Sequence, residues 1–275
     1  KIKNLAEKKY KKLGIVSDKK KIFPKKILRD FDKNDLIKIL GYHFNNKNTF
    51  NYNEEFNFYY YATKYCANIR NYFLVSLGMV GSTILKYGTI KQKKLILSHL
   101  EKKKFISSLL ITEPTAGSNI NEIKTNYIKK NGYYILNGKK TWITLGGISN
   151  IYLILANGKE GLILFLTESK SKKLKKKILK NIISNRGSHI ATIDIKNLKL
   201  TKKNILGENS RNSSKALGYA LMHGRAIAAL SAFSMCSAAL DEVIEYSKKR
   251  EQFGKKIWNF QQIQKIISDT RVFIE

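Results

Sequence analysis

The stretch Tyr133-Tyr134-Ile135-Leu136-Asn137-Gly138-Lys139-Lys140-Thr141-Trp142-Ile143-Thr144 decides that this chain is not all-helical. Aromatic and β-branched residues flank Asn137-Gly138, and an Asn-Gly pair in that setting predicts a hairpin turn because both residues tolerate positive φ. A second pair, Asn157-Gly158, separates the apolar runs Ile151–Ala156 and Gly161–Leu166. These patterns predict two β-hairpins in the middle of the chain.

The β pattern extends in both directions from these hairpins. Ile106–Ile111 is a short strand-like run, and Ala191–Leu200 alternates between apolar and polar residues with one break. The strands lie too close together in sequence for crossover helices, so the pattern predicts an all-β segment over residues 109–210 without a parallel sheet.

Helical periodicity flanks the β segment. Pro24 begins a helix-type pattern near the amino end, and Phe73–Tyr87 and Lys91–Lys104 continue it. The period returns at Ser214, and a long Ala-rich helix is predicted up to Lys249. Glu251–Gly254 interrupts it, and the pattern of a further helix runs from Gln261 to the last printed residue without a stop signal.

The predicted fold class is α+β multidomain. An N-terminal helical domain is expected at 1–108, a middle antiparallel β-barrel-like domain at 109–212, and the start of a C-terminal helical bundle at 213–275. The bundle is expected to be incomplete within the printed residues.

Charge is the most prominent feature of the composition. The chain has 52 Lys+Arg against 20 Asp+Glu, a formal net charge of +32, which invites a polyanion-binding interpretation. However, 45 of these cations are Lys and only 7 are Arg, the residue that phosphate recognition favours. Lys, Ile and Asn together make up 104 of 275 residues, and all three have AT-rich codons. Mutational bias is therefore the preferred explanation, with a nucleic-acid or membrane-surface protein as the minor alternative.

Several other classes are disfavoured by what the sequence lacks. Two distant cysteines, Cys66 and Cys236, form no disulfide framework and suggest a reducing compartment. Ala226–Leu240 is short and contains serines, so no membrane span is predicted, and no metal site is predicted either. There is no dinucleotide-binding glycine motif, P-loop or nucleophile elbow.

Three unusual constellations remain. Leu110–Asn119 reads LITEPTAGSN and follows a strand, so its hydroxyls and backbone N–H groups suit a planar or phosphorylated ligand. On the next strand, Trp142 and Thr144 are expected on one face, where an indole stacks and a hydroxyl donates to a flat heterocycle. The third is Lys249–Lys255, KREQFGK, at the end of the long helix. Each alone is more often a turn, a core Trp or a helix-end cation.

Taken together, these motifs resemble the acyl-CoA dehydrogenase family. TEPTAGSN, LNGKKTWIT, NRGS, NILGE and KKREQFGKKIWNFQ occur in the family's order with similar spacing, and the match runs from about Phe23 to the last residue. The resemblance implies a helical domain, a β domain and a four-helix bundle. It also implies FAD as cofactor and oxidation of an acyl-CoA thioester to the trans-2-enoyl thioester, with a carboxylate base and hydride transfer to the flavin.

The resemblance also implies roles for individual residues. Leu109 and Ile111 would run along the flavin, Thr112 would form a hydrogen bond with its pyrimidine side, and Ser118 would lie between flavin and acyl-CoA. Trp142 would cover the isoalloxazine, and Thr144 would donate near N5. The residues expected to reach the FAD of a neighbouring subunit are Arg250, Gln252, Phe253 and Gln261. Arg225 would lie near the substrate.

The chain departs from the family pattern at several positions. Met222 stands where the family usually has Asp or Asn, and Gly224 stands where some branches place the catalytic Glu. Asn119 replaces the usual Asp. No catalytic residue is therefore assigned within this chain, and the Glu is expected further along the protein.

The predicted function is FAD-dependent α,β-dehydrogenation of an acyl-CoA or acyl-carrier-protein thioester, with this fragment inactive by itself. Alternatives are a flavin oxidase or monooxygenase of the same fold and a decayed, non-catalytic family member. Expected partners are the acyl-CoA substrate, further copies in a homotetramer, and an electron-transferring flavoprotein. A cytoplasmic location is expected, or a mitochondrial or other organellar one in a eukaryote.

Overall fold

The computed structural model describes residues 1–40 and 52–274. The amino-terminal part is helical, as its periodicity predicts. Its α-helices are α1 (Ile2–Leu5), α2 (Lys11–Lys20), α3 (Lys33–Ile39), α4 (Tyr52–Thr63), α5 (Ala67–Asn71), α6 (Ser82–Tyr87) and α7 (Ile90–Glu101). π-helical segments join α1 to α2 (Ala6–Tyr10) and α5 to α6 (Tyr72–Gly81).

Aromatic packing holds these helices together. The ring of Phe58 on α4 lies edge-on to Phe31 and Phe73 with centroid separations of 5.3 and 5.2 Å. Edge-to-face pairs of this kind are favoured over parallel stacking. The segment Tyr72–Gly81 is buried along most of its length because it packs between the long helix Ser213–Lys249 and the strand Ser107–Leu110.

Nine strands follow within the described part of the chain. They are β1 (Ser107–Leu110), β2 (Asn126–Lys130), β3 (Tyr133–Ile143), β4 (Ile151–Ala156), β5 (Ile163–Glu168), β6 (Leu174–Ile178), β7 (Ala191–Leu200), β8 (Glu251–Gln252) and β9 (Lys255–Lys256). The sheets have the orders β1-β4-β5, β2-β3-β7-β6 and β8-β9. The first two share a buried core, to which Leu110, Ile154 and Phe165 contribute from one sheet and Leu136 and Ile193 from the other.

Two details of the β prediction are wrong. Asn137-Gly138 lies inside β3, where a side chain at 138 would meet Thr125 Oγ1 at 2.3 Å, so close approach rather than a turn requires the glycine. The reverse turn is the preceding Asn131-Gly132, whose φ values of 51° and 76° are both positive. The second difference is that β1 pairs with β4 in parallel.

The second predicted hairpin is present with a longer connection. Strands β4 and β5 are antiparallel, with Ala156 opposite Ile163. Asn157-Gly158 is not a two-residue hairpin turn, because Asn157 forms hydrogen bonds outside the hairpin. Its backbone N–H donates to Thr125 O at 3.0 Å, and its carbonyl accepts from Tyr127 N at 2.9 Å. These bonds attach the loop to the edge of the other sheet.

Two helices complete the described chain. They are α8 (Ser213–Lys249) and α9 (Gln261–Ile274), separated by the hairpin β8-β9. The predicted order of helical, β and helical parts is therefore confirmed. Helices end at Glu101 and β1 begins at Ser107, close to the predicted boundary at 108, and the exact boundaries stay a prediction.

The long helix also passes a test for membrane spans. Ser210–Lys249 contains an 18-residue window with mean hydropathy 1.5, one third of it buried against the rest of the chain. Length and composition alone are weak evidence, because core helices of soluble proteins pass the same test. Here α8 packs against α4 and against the segment Tyr72–Gly81.

Candidate functional site

The structure brings two of the predicted motifs together. The end of β1 and the loop that follows lie beside the end of β3, where Thr141 N donates to Thr112 O at 2.9 Å. Leu109 is half-buried on β1, Ile111 is buried, and Thr112 is half-buried at the start of the loop. This juxtaposition of 109–112 with 141–144 is the candidate site.

Trp142 has the most unusual conformation in the candidate site. Its φ is +56°, a region that bulky L-residues rarely occupy, and the register of β3 against β7 shifts between Lys140 and Ile143. The bulge leaves the indole 60% exposed while Lys140 and Ile143 on either side are buried. Backbone strain of this kind is often found at functional sites.

The bulge also alters the prediction for Thr144. β3 ends at Ile143, so Thr144 lies in the following turn and strict alternation does not place it on the face of Trp142. Its carbonyl accepts from Ser108 Oγ on β1 at 2.7 Å. Thr144 is nevertheless next to the other residues of the candidate site, because this hydrogen bond ties the turn to β1.

Beneath the candidate site is an ion pair that the sequence reasoning missed. Lys140 is fully buried, and its Nζ donates to Glu113 Oε1 at 2.8 Å and to Ile111 O at 2.9 Å. The Glu113 carboxylate also accepts from the backbone N–H groups of Lys124 at 2.6 Å and Thr125 at 2.9 Å. The inward position of Lys140 on an alternating strand was the available signal.

Burial and pairing shift the pKa of Glu113 in opposite directions, and the same holds for the pKa of Lys140. Burial alone would raise the pKa of Glu113, but the hydrogen bonds from Lys140, Thr125 and Lys124 outweigh it and hold that pKa below its usual value. Burial lowers the pKa of Lys140, and the hydrogen bond and charge of Glu113 offset this only in part. Glu113 is thus occupied as an ionised acceptor and is not available as a base.

The remainder of the LITEPTAGSN loop is open to solvent. Ser118 is exposed, and a methyl group built at Gly117 would meet no atom within 4 Å. Glu113 and Ala116 exchange backbone hydrogen bonds of 2.8 and 3.3 Å, which close the loop into a tight turn. The exposed rim can therefore approach a ligand while its base is fixed.

The carboxyl-terminal motif lies elsewhere on the chain. Arg250 follows α8, and Phe253-Gly254 forms the tip of the β8-β9 hairpin with φ values of 53° and 73°. Phe253 is 92% exposed, and Gln252 and Gln261 are exposed as well. Among the described residues, no hydrogen bond or ion pair joins this motif to the loop at 112–118. Their predicted reach to a neighbouring subunit stays a prediction.

Arg225 is exposed on α8, and its predicted place near the substrate stays a prediction.

An apolar cleft of about 580 Å³ lies between α4 and α8, and its lining includes Phe56, Leu230 and Phe233. Glu55 lies in this cleft, and burial raises the pKa of its carboxyl to about 7. His223 Nε2 is 3.8 Å from Glu55 Oε1, and its Nδ1 is 3.1 Å from Gly78 O.

The described residues contain no cluster of three or more His, Cys, Asp or Glu suited to a metal ion. The chemistry that the candidate site can perform therefore rests on an exposed indole, hydroxyls and backbone groups around a fixed base. Such a surface binds and orients a flat, polar ligand.

The fold and this site together define a class of protein: an α–β–α chain whose middle β domain places an exposed loop beside a strained Trp. The chain belongs to the acyl-CoA dehydrogenase family. Residues 108–198 match the acyl-CoA dehydrogenase middle domain, and residues 215–275 match the acyl-CoA dehydrogenase C-terminal domain.

Individual relatives agree with this assignment. The short/branched chain specific acyl-CoA dehydrogenase of Bos taurus is 34% identical over 191 residues, covering 68% of this chain and 44% of that protein. Butyryl-CoA dehydrogenase from Megasphaera elsdenii has a TM-score of 0.86 at 26% identity, covering 99% of this chain and 73% of that one. A glutaryl-CoA dehydrogenase from Mycobacterium smegmatis, in complex with FADH2, has a TM-score of 0.88 at 21% identity and covers 99% and 70%. The chain spans about half the length of the curated relatives it matches.

Proposed function

We propose that this chain is the flavin-binding part of an FAD-dependent dehydrogenase that oxidises an acyl thioester between its α and β carbons. The thioester is carried by CoA or by an acyl carrier protein. The proposal rests on the juxtaposition of Thr112 and Trp142, which the hydrogen bond from Thr141 N to Thr112 O fixes. FAD, when bound, supplies the acceptor for the substrate hydride.

The candidate site fits a flavin on its own chemistry. Trp142 offers an exposed apolar face, and the neighbouring Thr112 and Thr144 offer hydroxyls. A flat ring with a polar edge needs both kinds of group. We expect Leu109, Ile111 and Thr112 to line the ring, Trp142 to cover it, and Thr144 to donate to it.

The other assignments extend the proposal beyond one chain. Ser118 is expected between cofactor and substrate, and Arg225 on the substrate side. The exposed Arg250 and Phe253 are expected to reach the cofactor of a second copy, since a guanidinium suits a pyrophosphate. This requires an oligomer, and we propose a homotetramer.

The catalytic base is expected outside the printed residues. Gly224 cannot act as a base, and Glu113 is held in its ion pair with Lys140. A base must lie within hydrogen-bond reach of the proton that it removes. Neither position is therefore proposed as the base, and the catalytic Glu of the family is not assigned to a numbered residue.

An electron-transferring flavoprotein is the proposed electron acceptor. The relatives include a caffeyl-CoA reductase-Etf complex subunit from Acetobacterium woodii, 31% identical over 202 residues. A cytoplasmic location, or an organellar one in a eukaryote, completes the proposal.

The test uses the full-length protein purified with its cofactor. Under anaerobic conditions, we expect butyryl-CoA or a longer acyl-CoA to bleach the flavin absorbance, with the enoyl-CoA as product. Rapid reoxidation by O₂ with formation of H₂O₂ would instead indicate an oxidase, and one structural neighbour is a prolyl acyl carrier protein oxidase. A flavin that no acyl-CoA or acyl-carrier-protein thioester bleaches would contradict the proposed reaction.

A further inference from the structure

Three backbone carbonyls of the candidate site point into the protein. Ile111 O accepts from Lys140 Nζ at 2.9 Å, and Thr112 O accepts from Thr141 N at 2.9 Å. Thr144 O accepts from Ser108 Oγ at 2.7 Å. All three carbonyls therefore already have a donor within the chain.

The buried pair, Lys140 and Glu113, is the centre of this arrangement. Lys140 is 0% exposed and bridges β3 to the loop by bonding both Ile111 O and Glu113 Oε1. The Glu113 carboxylate also accepts hydrogen bonds from the backbone N–H groups of Lys124 and Thr125. Taking two charges out of water is expensive, and replacing a buried ion pair by an apolar pair of similar volume is often neutral or stabilising. Stability alone therefore does not explain the choice of these residues.

We propose that the buried pair is a positioning group that sets the hydrogen-bonding polarity of the site. By holding the carbonyl of Ile111 inward, next to the Thr112 carbonyl that the backbone N–H of Thr141 holds, it leaves hydroxyl and N–H donors to face the ligand. Such an edge complements a ligand edge rich in carbonyl oxygens, which is the character of a flavin pyrimidine ring. This inference rests on the proposed function for the identity of the ligand, and on the apoprotein geometry for the positioning itself.

A purely electrostatic role would have a different signature. Lys140→Met leaves an unpaired carboxylate beneath the site, whereas Glu113→Gln leaves an unpaired ammonium. If only charge mattered, the two substitutions would change the affinity for an electron-rich ligand in opposite directions. If position matters, both substitutions free the loop, and both weaken binding.

The experiment compares Lys140→Met, Glu113→Gln and the double variant in the full-length protein. The first readout is the FAD dissociation constant. We expect each single variant to bind FAD roughly tenfold or more weakly, the usual scale when a group that orients a ligand-contacting residue is lost. The double variant should be no worse than the singles, because their effects share one pair.

The second readout needs no cofactor. In the apoprotein, hydrogen exchange at the amides of Thr125 and Thr141 should be faster in all three variants than in the wild type. Phe165→Leu serves as the control, since Phe165 is buried in the shared sheet core and forms no hydrogen bond with either member of the pair. It should lower global stability and leave FAD affinity unchanged, and any faster exchange of these two amides should match its loss of global stability, whereas in the pair variants it should exceed that loss.

Several results would overturn the inference. Opposite changes in FAD affinity for the two single variants would show that charge alone matters. A loss of FAD affinity in Phe165→Leu as large as in the pair variants would show that the pair has only a structural role. Unchanged exchange at Thr125 and Thr141 would also contradict it. A wild type that binds no FAD, yet shows the expected exchange pattern, would refute the proposed function while leaving the positioning role supported.

Discussion

Glu55 gives the sharpest quantitative prediction. Its side chain is 17% exposed in the apolar cleft between α4 and α8, and burial raises its pKa from 4.5 to about 7. The folded protein therefore holds a proton between these pH values that the unfolded chain releases. A native state that binds more protons loses stability as pH rises, so this group should cost stability between about pH 4.5 and 7.

The size of the effect follows from the shift. A shift of about 2.5 pKa units at about 1.4 kcal/mol each gives roughly 3 kcal/mol of lost stability above pH 7. Glu55→Gln resembles the protonated carboxyl at every pH. We expect the variant to equal the wild type near pH 4 and to exceed it by up to about 3 kcal/mol at pH 8.

The assay is urea unfolding at both pH values, with Glu54→Gln on the exposed face of the same helix as matched control. His223 faces Glu55, and burial lowers the pKa of its imidazole. The contribution of His223 to the stability of the fold therefore rises with pH until the usual pKa of histidine is reached. Both proteins contain His223, so comparing variant with wild type removes most of this contribution. A variant that is less stable than the wild type at pH 8 would refute the reasoning, because it would mean that Glu55 is an ionised partner of His223.

Three further substitutions test separate parts of the fold. Gly187→Ala should lower the free energy of unfolding by about 1–3 kcal/mol, since its Cβ would lie 2.6 Å from Ile22 O and Ser17 Oγ; an unchanged urea midpoint would contradict this. Thr89→Ala removes the capping box of α7 and should cost about 1 kcal/mol, measured in the same way. Trp142→Gly should not lower stability, because it relieves a positive φ, yet it should weaken FAD binding; a large loss of stability would show that the indole packs as core.

The sequence predicts the helical parts and most strands because their periodicity is long and strong. It fails at the hairpin, since Asn131-Gly132 and Asn137-Gly138 have the same local signal. What distinguishes them is Thr125, which immediately precedes β2 and approaches Gly138 closely. The contact between Thr125 and Gly138 cannot be predicted from local propensity, because the two residues are not neighbours in the sequence.

The site shows the same limit. The motifs locate Thr112 and Trp142, but the bulge that exposes Trp142 depends on pairing with β7. Lys140 is one of 45 lysines in the sequence, and its inward position on the strand is a weak signal until the structure shows its ion pair with Glu113. Arg250 and Phe253 remain on an exposed hairpin, because any partner for them lies beyond this chain's described residues.

The central claim is that a flavin lies against Trp142, and bound-flavin fluorescence tests it most directly. An indole in contact with a flavin quenches its emission, and the printed sequence has two Trp residues, Trp142 and Trp258. At equal FAD occupancy in the full-length protein, Trp142→Phe should raise the emission several-fold, whereas Trp258→Phe should leave it dim. Equal emission in wild type and Trp142→Phe, or a protein that binds no FAD, would contradict the account.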